Sequence, residues 1–177
     1  MPEGRDHHRG LGRKHRRTRV SAADELTQIA DRLAVTDVVL RYFELVDSKD
    51  WVHMDEVFTE DTTARWTANV LMEGRDNVVG ALQHMIGTDE VVTHHHVASM
   101  RPVIDGDTAH VDARVRAMHY GVGPRAGKFY ESLAVQPTRL VRTPEGWRWH
   151  HHEWVIVAKF GSMEELFAPE LAAGARH

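Results

Sequence analysis

The strongest constraint on this chain is an alternation that begins after residue 108. Ala109, Val111, Ala113, Val115, Ala117 and His119 occupy every second position, with His110, Asp112, Arg114, Arg116 and Met118 between them. Successive side chains of a strand point to opposite faces, so the pattern predicts a strand with one small apolar face toward a core and one polar face away from it. Just upstream, Asp105-Gly106-Asp107 follows a β-rich run over 93–104. An Asp-Gly pair between such runs is a strong hairpin signal, because both residues tolerate positive φ. Downstream, the glycine-bearing loop 121–127 precedes an expected strand over 128–142, in which Pro137 marks an edge, a bulge or an interruption. The turn Thr143-Pro144-Glu145-Gly146 then feeds a last strand over 147–160, and Gly161-Ser162 leads into a helical turn at 163–167.

The first half of the chain has the other period. Leu26, Ile29 and Leu33, and then Val38, Val39, Tyr42 and Leu45, recur at spacings of three and four within each group, and Ser21 is placed to cap the segment. This predicts a helix from 22 to about 46 with those residues on its buried face. A short helix is expected over 51–58, with Trp51, Met54, Val57 and Phe58 inward, then a short strand over 64–71 and a third helix over 77–85. Helices first and an antiparallel meander afterwards define an α+β class, with the helices on one face of the sheet.

At 177 residues and 42% hydrophobic content, the chain suits one domain. Residues 1–20 carry Arg5, Arg9, Arg13, Lys14, Arg16, Arg17 and Arg19 against Glu3 and Asp6, with almost nothing to bury. They are expected to be a disordered basic tail, with a nucleic-acid arm as the alternative. The domain is expected over 21–168, with a frayed end at 169–177. A net charge of −4 gives no overall drive toward nucleic acid or an anionic membrane. No apolar run approaches the roughly 18–20 residues that span a bilayer, and no secretory pattern opens the chain, so a cytoplasmic protein is expected. The absence of cysteine removes disulfides, thiolate nucleophiles and thiolate-held metal.

Histidine is the unusual residue, with 14 copies. It alone changes protonation near neutral pH without a special environment, so pocket histidines are natural acid and base candidates. In the run His94-His95-His96, the outer two share one face of a strand and His95 takes the other. His119 continues the Ala/Val face and is expected to point inward, as a pocket group or as a core histidine bonded to backbone. On the last strand, Trp147, Trp149, His151 and Glu153 share one face and Arg148, His150, His152 and Trp154 the other. Tryptophans on both faces leave the inward one open. Tyr42 and Asp47 fall at the end of the first helix, where tyrosine can polarise an oxygen and aspartate can orient an imidazole. Equally, the ring of Tyr42 can simply pack and Asp47 can be a solvated helix-end residue.

The run from Leu33-Ala34-Val35-Thr36-Asp37 through Tyr42-Phe43-Glu44-Leu45-Val46-Asp47, followed by Asp50-Trp51 and Val57-Phe58-Thr59-Glu60-Asp61, resembles the opening of SnoaL-like proteins in the nuclear transport factor 2-like superfamily. Thr93-His94-His95-His96-Val97-Ala98-Ser99-Met100, Ile104-Asp105-Gly106-Asp107-Thr108-Ala109 and Gly146-Trp147-Arg148 extend the resemblance over about residues 24–160. It implies a cone-like α+β fold in which a curved mixed or antiparallel sheet wraps around N-terminal helices and leaves a deep pocket. Bile-acid dehydratases, scytalone dehydratase and a dehydrochlorinase of this superfamily use a helix tyrosine or aspartate and a strand histidine for elimination. Carried over, the tyrosine falls on Tyr42, the aspartate on Asp47 and the strand histidine on His96, or on His95 if the strand shifts by one residue. His119 matches a second polar pocket position, and Met100 stands where relatives commonly have asparagine.

The resemblance therefore implies a cofactor-independent dehydratase or isomerase acting on an apolar, oxygenated polyketide-, steroid- or polycycle-like small molecule. His96, oriented by Asp47, would take a proton, Tyr42 would polarise the developing oxyanion, and His119 would be a second acid. Trp66, Met72, Met100, Phe129 and His151 are the expected pocket walls. The alternatives are a cyclase or epoxide hydrolase built on the same pocket, and a non-catalytic binding or assembly domain. Relatives often associate through the sheet, so a homodimer or homotrimer is expected. His96, His119, His151 and Glu153 are the only grouping that suggests metal, and neither His-Glu-x-x-His nor a nucleotide-binding glycine loop occurs. No metal, cofactor, nucleic-acid or membrane partner is expected.

Overall fold

The computed structural model describes residues 21–67 and 70–167. The basic tail expected over 1–20 and the frayed end expected over 169–177 lie outside the described residues. The fold is α+β, with helices leading and an eight-stranded mixed sheet following.

Helix α1 (Ala22–Ser48) opens with a capping box: Asp24 N–H donates to the Ser21 hydroxyl, and the Asp24 carboxylate accepts from Ser21 N–H. That arrangement satisfies donors that a helix start otherwise leaves unpaired. Its buried face runs Asp31, Val35, Val39, Tyr42, Phe43, Leu45 and Val46. Leu26, Ile29 and Leu33, expected on that face, are instead 68%, 54% and 60% exposed. The first turns of α1 meet little of the sheet, and what holds them is polar. The Asp31 carboxylate accepts two bonds from Arg142 (2.9 and 2.8 Å) and one from the Trp147 indole (3.3 Å), while the Arg142 guanidinium lies 4.4 Å from the Trp147 ring centroid.

After α1, a 3₁₀ turn (Val52–Glu56) stands where a short helix was expected, and Phe58 already belongs to strand β1 (Phe58–Thr67). The strand expected over 64–71 is the end of β1 plus β2 (Val70–Glu73), an antiparallel pair. Helix α2 (Arg75–Ile86) buries Val78, Leu82 and Ile86, a helical spacing of four. Strand β3 (Val91–Ser99), β4 (Val103–Asp105) and β5 (Thr108–Gly121) follow, then β6 (Phe129–Thr143), β7 (Gly146–Glu153), β8 (Val155–Gly161) and α3 (Met163–Phe167).

The sheet order is β2-β1-β7-β6-β5-β3, with β4 also on β5 and β8 also on β6. Two stretches expected as single strands are thus broken in two. Strands β3 and β4 lie along one edge of β5, and β7 and β8 along one edge of β6. Pro137 falls in the gap, since β8 pairs with β6 as far as Val135 and β7 resumes at Thr138. A residue without an N–H is tolerated there because no strand asks for its donor on that side. β5 keeps the alternation read from sequence: Ala109, Val111, Ala113, Val115, Ala117 and His119 are buried, and His110, Asp112, Arg114 and Arg116 are exposed.

Two bulges re-aim side chains. On β7, Trp149 faces Leu140 and His151 faces Arg139, so His150 is an extra residue against β6. One extra residue reverses the faces beyond it. His152 therefore joins Trp147 and Trp149 in the core, and His151 does not. On β1, Ala64 faces Met72 and Thr67 faces Val70, an analogous shift beside Trp66. Gly161 turns β8 into α3 at φ 76°, where a Cβ would stand 2.1 Å from the Phe129 carbonyl oxygen. Glycine is required at that close approach.

The polar clamp at the helix start yields a stability prediction. Asp31→Ala leaves Arg142 and the Trp147 N–H without their shared acceptor and is expected to lower unfolding free energy by about 1–2 kcal/mol. Urea unfolding at neutral pH measures it.

Candidate active site

Asp47 is positioned by the way α1 ends. Lys49 adopts the left-handed conformation (φ 57°, ψ 32°) and closes the helix by donating its N–H to Leu45 and Val46 carbonyls. Its Nζ reaches the carbonyls of Thr88 and, at 2.9 Å, Val91, pinning the helix end to the start of β3. The Asp47 carboxylate then faces β3 and binds His95 twice. Oδ2 accepts the His95 backbone N–H at 2.9 Å, and Oδ1 lies 2.6 Å from His95 Nδ1.

A carboxylate at Nδ1 requires a proton there, so in the neutral ring the lone pair of His95 is on Nε2. Burial raises the Asp47 pKa, but the ring hydrogen bond, charge and backbone N–H of His95 outweigh it and hold the carboxyl below the usual range. The side chain of His95 is only 7% exposed and packs against Phe43, with ring centroids 5.2 Å apart. His94 and His96 take the opposite, exposed face, with their rings 4.7 Å apart. The pocket histidine is therefore His95 and not His96, because strand alternation admits only the middle residue of the run.

His119 points inward, its ring centroid 5.5 Å from that of His95. Its Nδ1–H donates to the Tyr130 carbonyl at 3.2 Å, so Nε2 carries the lone pair. Burial first, then the proximity of His95, pushes its pKa down to about 4. At neutral pH His119 offers an acceptor, whereas the second-acid role needs a proton it does not carry. Tyr42 behaves oppositely. Burial and then the Asp47 charge raise its pKa well above the ordinary phenol value, so it stays a donor. Its ring is held by Trp149 (4.5 Å), Phe43 (4.9 Å) and Phe58 (5.8 Å), and no group among the described residues hydrogen-bonds its hydroxyl.

Tyr42, His95 and His119 line one cavity of about 210 Å³. Its other polar walls are Tyr130 and Ser132, and its apolar ones include Phe43, Leu82, Trp66, Trp154 and Ile156. Among the described residues neither lysine nor arginine lines it. Of the expected walls, Trp66 is present. Met72 lines an adjoining outer groove. Met100 packs against the core beyond the end of β3, and Phe129 is exposed and stacked on Tyr120. His151 is carried away by the β7 bulge and sits between the Thr63 hydroxyl (2.7 Å) and Glu153 (3.3 Å). His96, His119, His151 and Glu153 do not converge, and among the described residues no group of three or more metal-type ligands does.

Ser132 and Trp154 were not singled out from sequence. Ser132 was accessible to register reasoning, since β5 and β6 form one meander and its partner Ala117 is on the inward face. Trp154 was not, because its orientation follows from the break between β7 and β8.

Residues 27–153 match the SnoaL-like domain. The chain belongs to that family. An uncharacterised protein of Mycobacterium tuberculosis (strain ATCC 25618 / H37Rv) is 29% identical over 126 residues, covering 70% of this chain and 83% of the relative. Among solved structures, a protein of Kribbella flavida is similar with a TM-score of 0.70 and 24% identity, over 75% of this chain and 95% of that one. A hexachlorocyclohexane dehydrochlorinase of Novosphingobium barchaimii is similar at 0.68 and 13% identity, over 78% and 94%. A candidate scytalone dehydratase of Novosphingobium aromaticivorans is similar at 0.67 and 18% identity, over 78% and 89%. At these identities the SnoaL-like chain shares a fold with these structures, and that fold hosts enzymes. No helix among the described residues is long and apolar enough to cross a membrane.

The buried histidines predict acid sensitivity. The unfolded chain binds a proton at each near the ordinary 6.5, which folded His119 refuses until about 4 and folded His152 until about 3. More protons on the unfolded state below pH 6.5 means that stability falls as pH drops, by about 1.4 kcal/mol per pH unit for each such histidine. His119→Gln, which keeps a donor for the Tyr130 carbonyl, is expected to flatten the fall between about pH 6 and 4.5 by one histidine's share. Chemical denaturation across that range measures the slope.

Proposed function

We propose that the protein is a cofactor-independent lyase or isomerase that removes a proton beside a carbonyl group in a neutral, compact, oxygenated ring compound. The observation that carries this is the Asp47–His95 pair, whose tautomer in the neutral ring puts the Nε2 lone pair in the same enclosed cavity as a tyrosine held in its protonated form. Because the cavity lining described here contains no cation, it favours uncharged substrates over carboxylates or phosphates.

In a dehydration, His95 Nε2 takes the proton from the carbon next to the carbonyl. The C–H electrons delocalise toward the carbonyl oxygen, where the Tyr42 hydroxyl donates a hydrogen bond to the developing charge. Collapse of that enolate forms the carbon–carbon double bond and breaks the neighbouring C–O bond. The His95 imidazolium returns its proton to the departing hydroxide, so water leaves and the enzyme is restored. Asp47 holds the tautomer and stabilises the imidazolium. Without a β-hydroxyl, the same first step returns the proton to another carbon and gives an isomerisation. The dehydrochlorinase and the candidate dehydratase among the structural relatives are consistent with elimination in such a cavity.

β-Hydroxytetralone, a neutral bicyclic β-hydroxy ketone, is the test substrate, because loss of water yields fluorescent naphthol. His95→Gln and Asp47→Asn are expected to lower kcat by about 10³-fold or more, and Tyr42→Phe by about 10²-fold. His96→Ala, on the exposed face, is expected to leave kcat within a factor of about two. Retained turnover in His95→Gln would sink the assignment. Binding of the probe without turnover by the wild-type protein would favour a ligand-binding domain.

A further inference from the structure

His152 is a fully buried titratable group that this mechanism leaves unused. Its side chain is fully buried, stacked on Phe58 (ring centroids 5.6 Å apart, planes 15° apart) and flanked by Trp149 at 5.2 Å and Tyr42 at 6.0 Å. Its Nε2 accepts the Trp66 indole N–H at 3.0 Å. The proton must therefore be on Nδ1, and that buried donor has no partner among the described residues. A phenylalanine or leucine would fill such an aromatic site without an orphan donor. What histidine adds is one acceptor, aimed at Trp66.

Two backbone irregularities bring that bond about. The bulge at His150 turns His152 inward, and the bulge beside Trp66 re-aims the end of β1, which runs parallel to β7 with Ala64 opposite His152. Trp66 is at the same time a wall of two spaces. It lines the inner cavity of about 210 Å³ that holds Tyr42 and His95, and it lines the outer groove of about 480 Å³ that includes Val70, Met72 and His84. Met85, Met163 and Phe167 are the other residues common to both. Of these four, only Trp66 has its side chain fixed by a directional bond to the core.

We propose that His152 is a positioning residue that holds Trp66 as the partition between the inner cavity and the outer groove, and so restricts the site to compact ring systems that fit the inner space alone. This deepens the reading of the cavity as a neutral-ligand site and rests on it. Histidine suits the task because burial keeps it neutral, its pKa pushed down to about 3, so the acceptor is present at any working pH.

The test uses the full chain and two neutral probes, bicyclic naphthol and tetracyclic progesterone, with the indole N–H signals of the five tryptophans followed by NMR. The Trp66 signal is identified by its loss in Trp66→Phe. In His152→Phe it is expected to move and its hydrogen exchange to quicken by about tenfold or more. The wild-type protein is expected to bind naphthol at least about tenfold more tightly than progesterone, and His152→Phe to shrink that ratio several-fold. His152→Gln, which keeps an acceptor, should restore both readouts. Trp66→Phe carries the same expectation for the ratio should His152→Phe not fold, and the double variant should match either single one, because both cut one bond. An unmoved indole signal in folded His152→Phe, an unchanged ratio in Trp66→Phe, or a wild-type protein that does not prefer naphthol overturns the proposal. None of these readouts needs turnover, so loss of the elimination reading, judged on β-hydroxytetralone, is a separate result.

Discussion

The carboxylate of Asp47 joins the two halves of this protein. It belongs to the last turn of α1, yet both of its oxygens are bonded to His95 on β3, one through the backbone and one through the ring. The backbone bond sets where β3 lies against the helix, and the ring bond sets which imidazole nitrogen faces the cavity. Structural and chemical requirements thus coincide in one group. A solvated helix-end aspartate would have served the fold less well and would have left the tautomer of His95 undetermined. The left-handed Lys49 is part of the same device, because it ends the helix at the point where Asp47 reaches β3 and anchors that end to the Thr88 and Val91 carbonyls.

Much of this arrangement was legible in the sequence, and the boundary is physical. Alternation over 109–119 placed His119 correctly because β5 pairs with β6 without a register break. The same rule separates His95 from its neighbours, but parity alone could not say which side of β3 was inward. That is decided by a tertiary contact with Asp47, so carrying the histidine over by resemblance landed one residue away. On β7 the parity rule itself failed, since a single extra residue at His150 moves His152 into the core and His151 out of it. Such bulges have no reliable local signature, because they are chosen by the fit of three neighbouring strands. The helix face erred for a related reason. Leu26, Ile29 and Leu33 keep helical spacing among themselves, but the step from Leu33 to Val38 is five residues, which turns them away from the face of Val35, Val39 and Tyr42.

Three histidines in the interior share a residue type and differ in what occupies each nitrogen. His95 has a carboxylate at Nδ1, His119 a carbonyl at Nδ1, and His152 an indole N–H at Nε2. In the proposed reaction, that carboxylate would stabilise the imidazolium formed on His95. A carbonyl fixes the tautomer but offsets burial far less, and His119 remains a neutral acceptor. An N–H donor occupies the lone pair itself, and because His152 already carries its proton on Nδ1, neither nitrogen is left open to take another. Of the three, only His95 combines a countercharge, a free lone pair and a place on the cavity wall. That combination is why the proposed reaction is assigned to the histidine whose partner carries a full negative charge, whereas His119 lines the cavity as a neutral acceptor and His152 bonds the Trp66 indole.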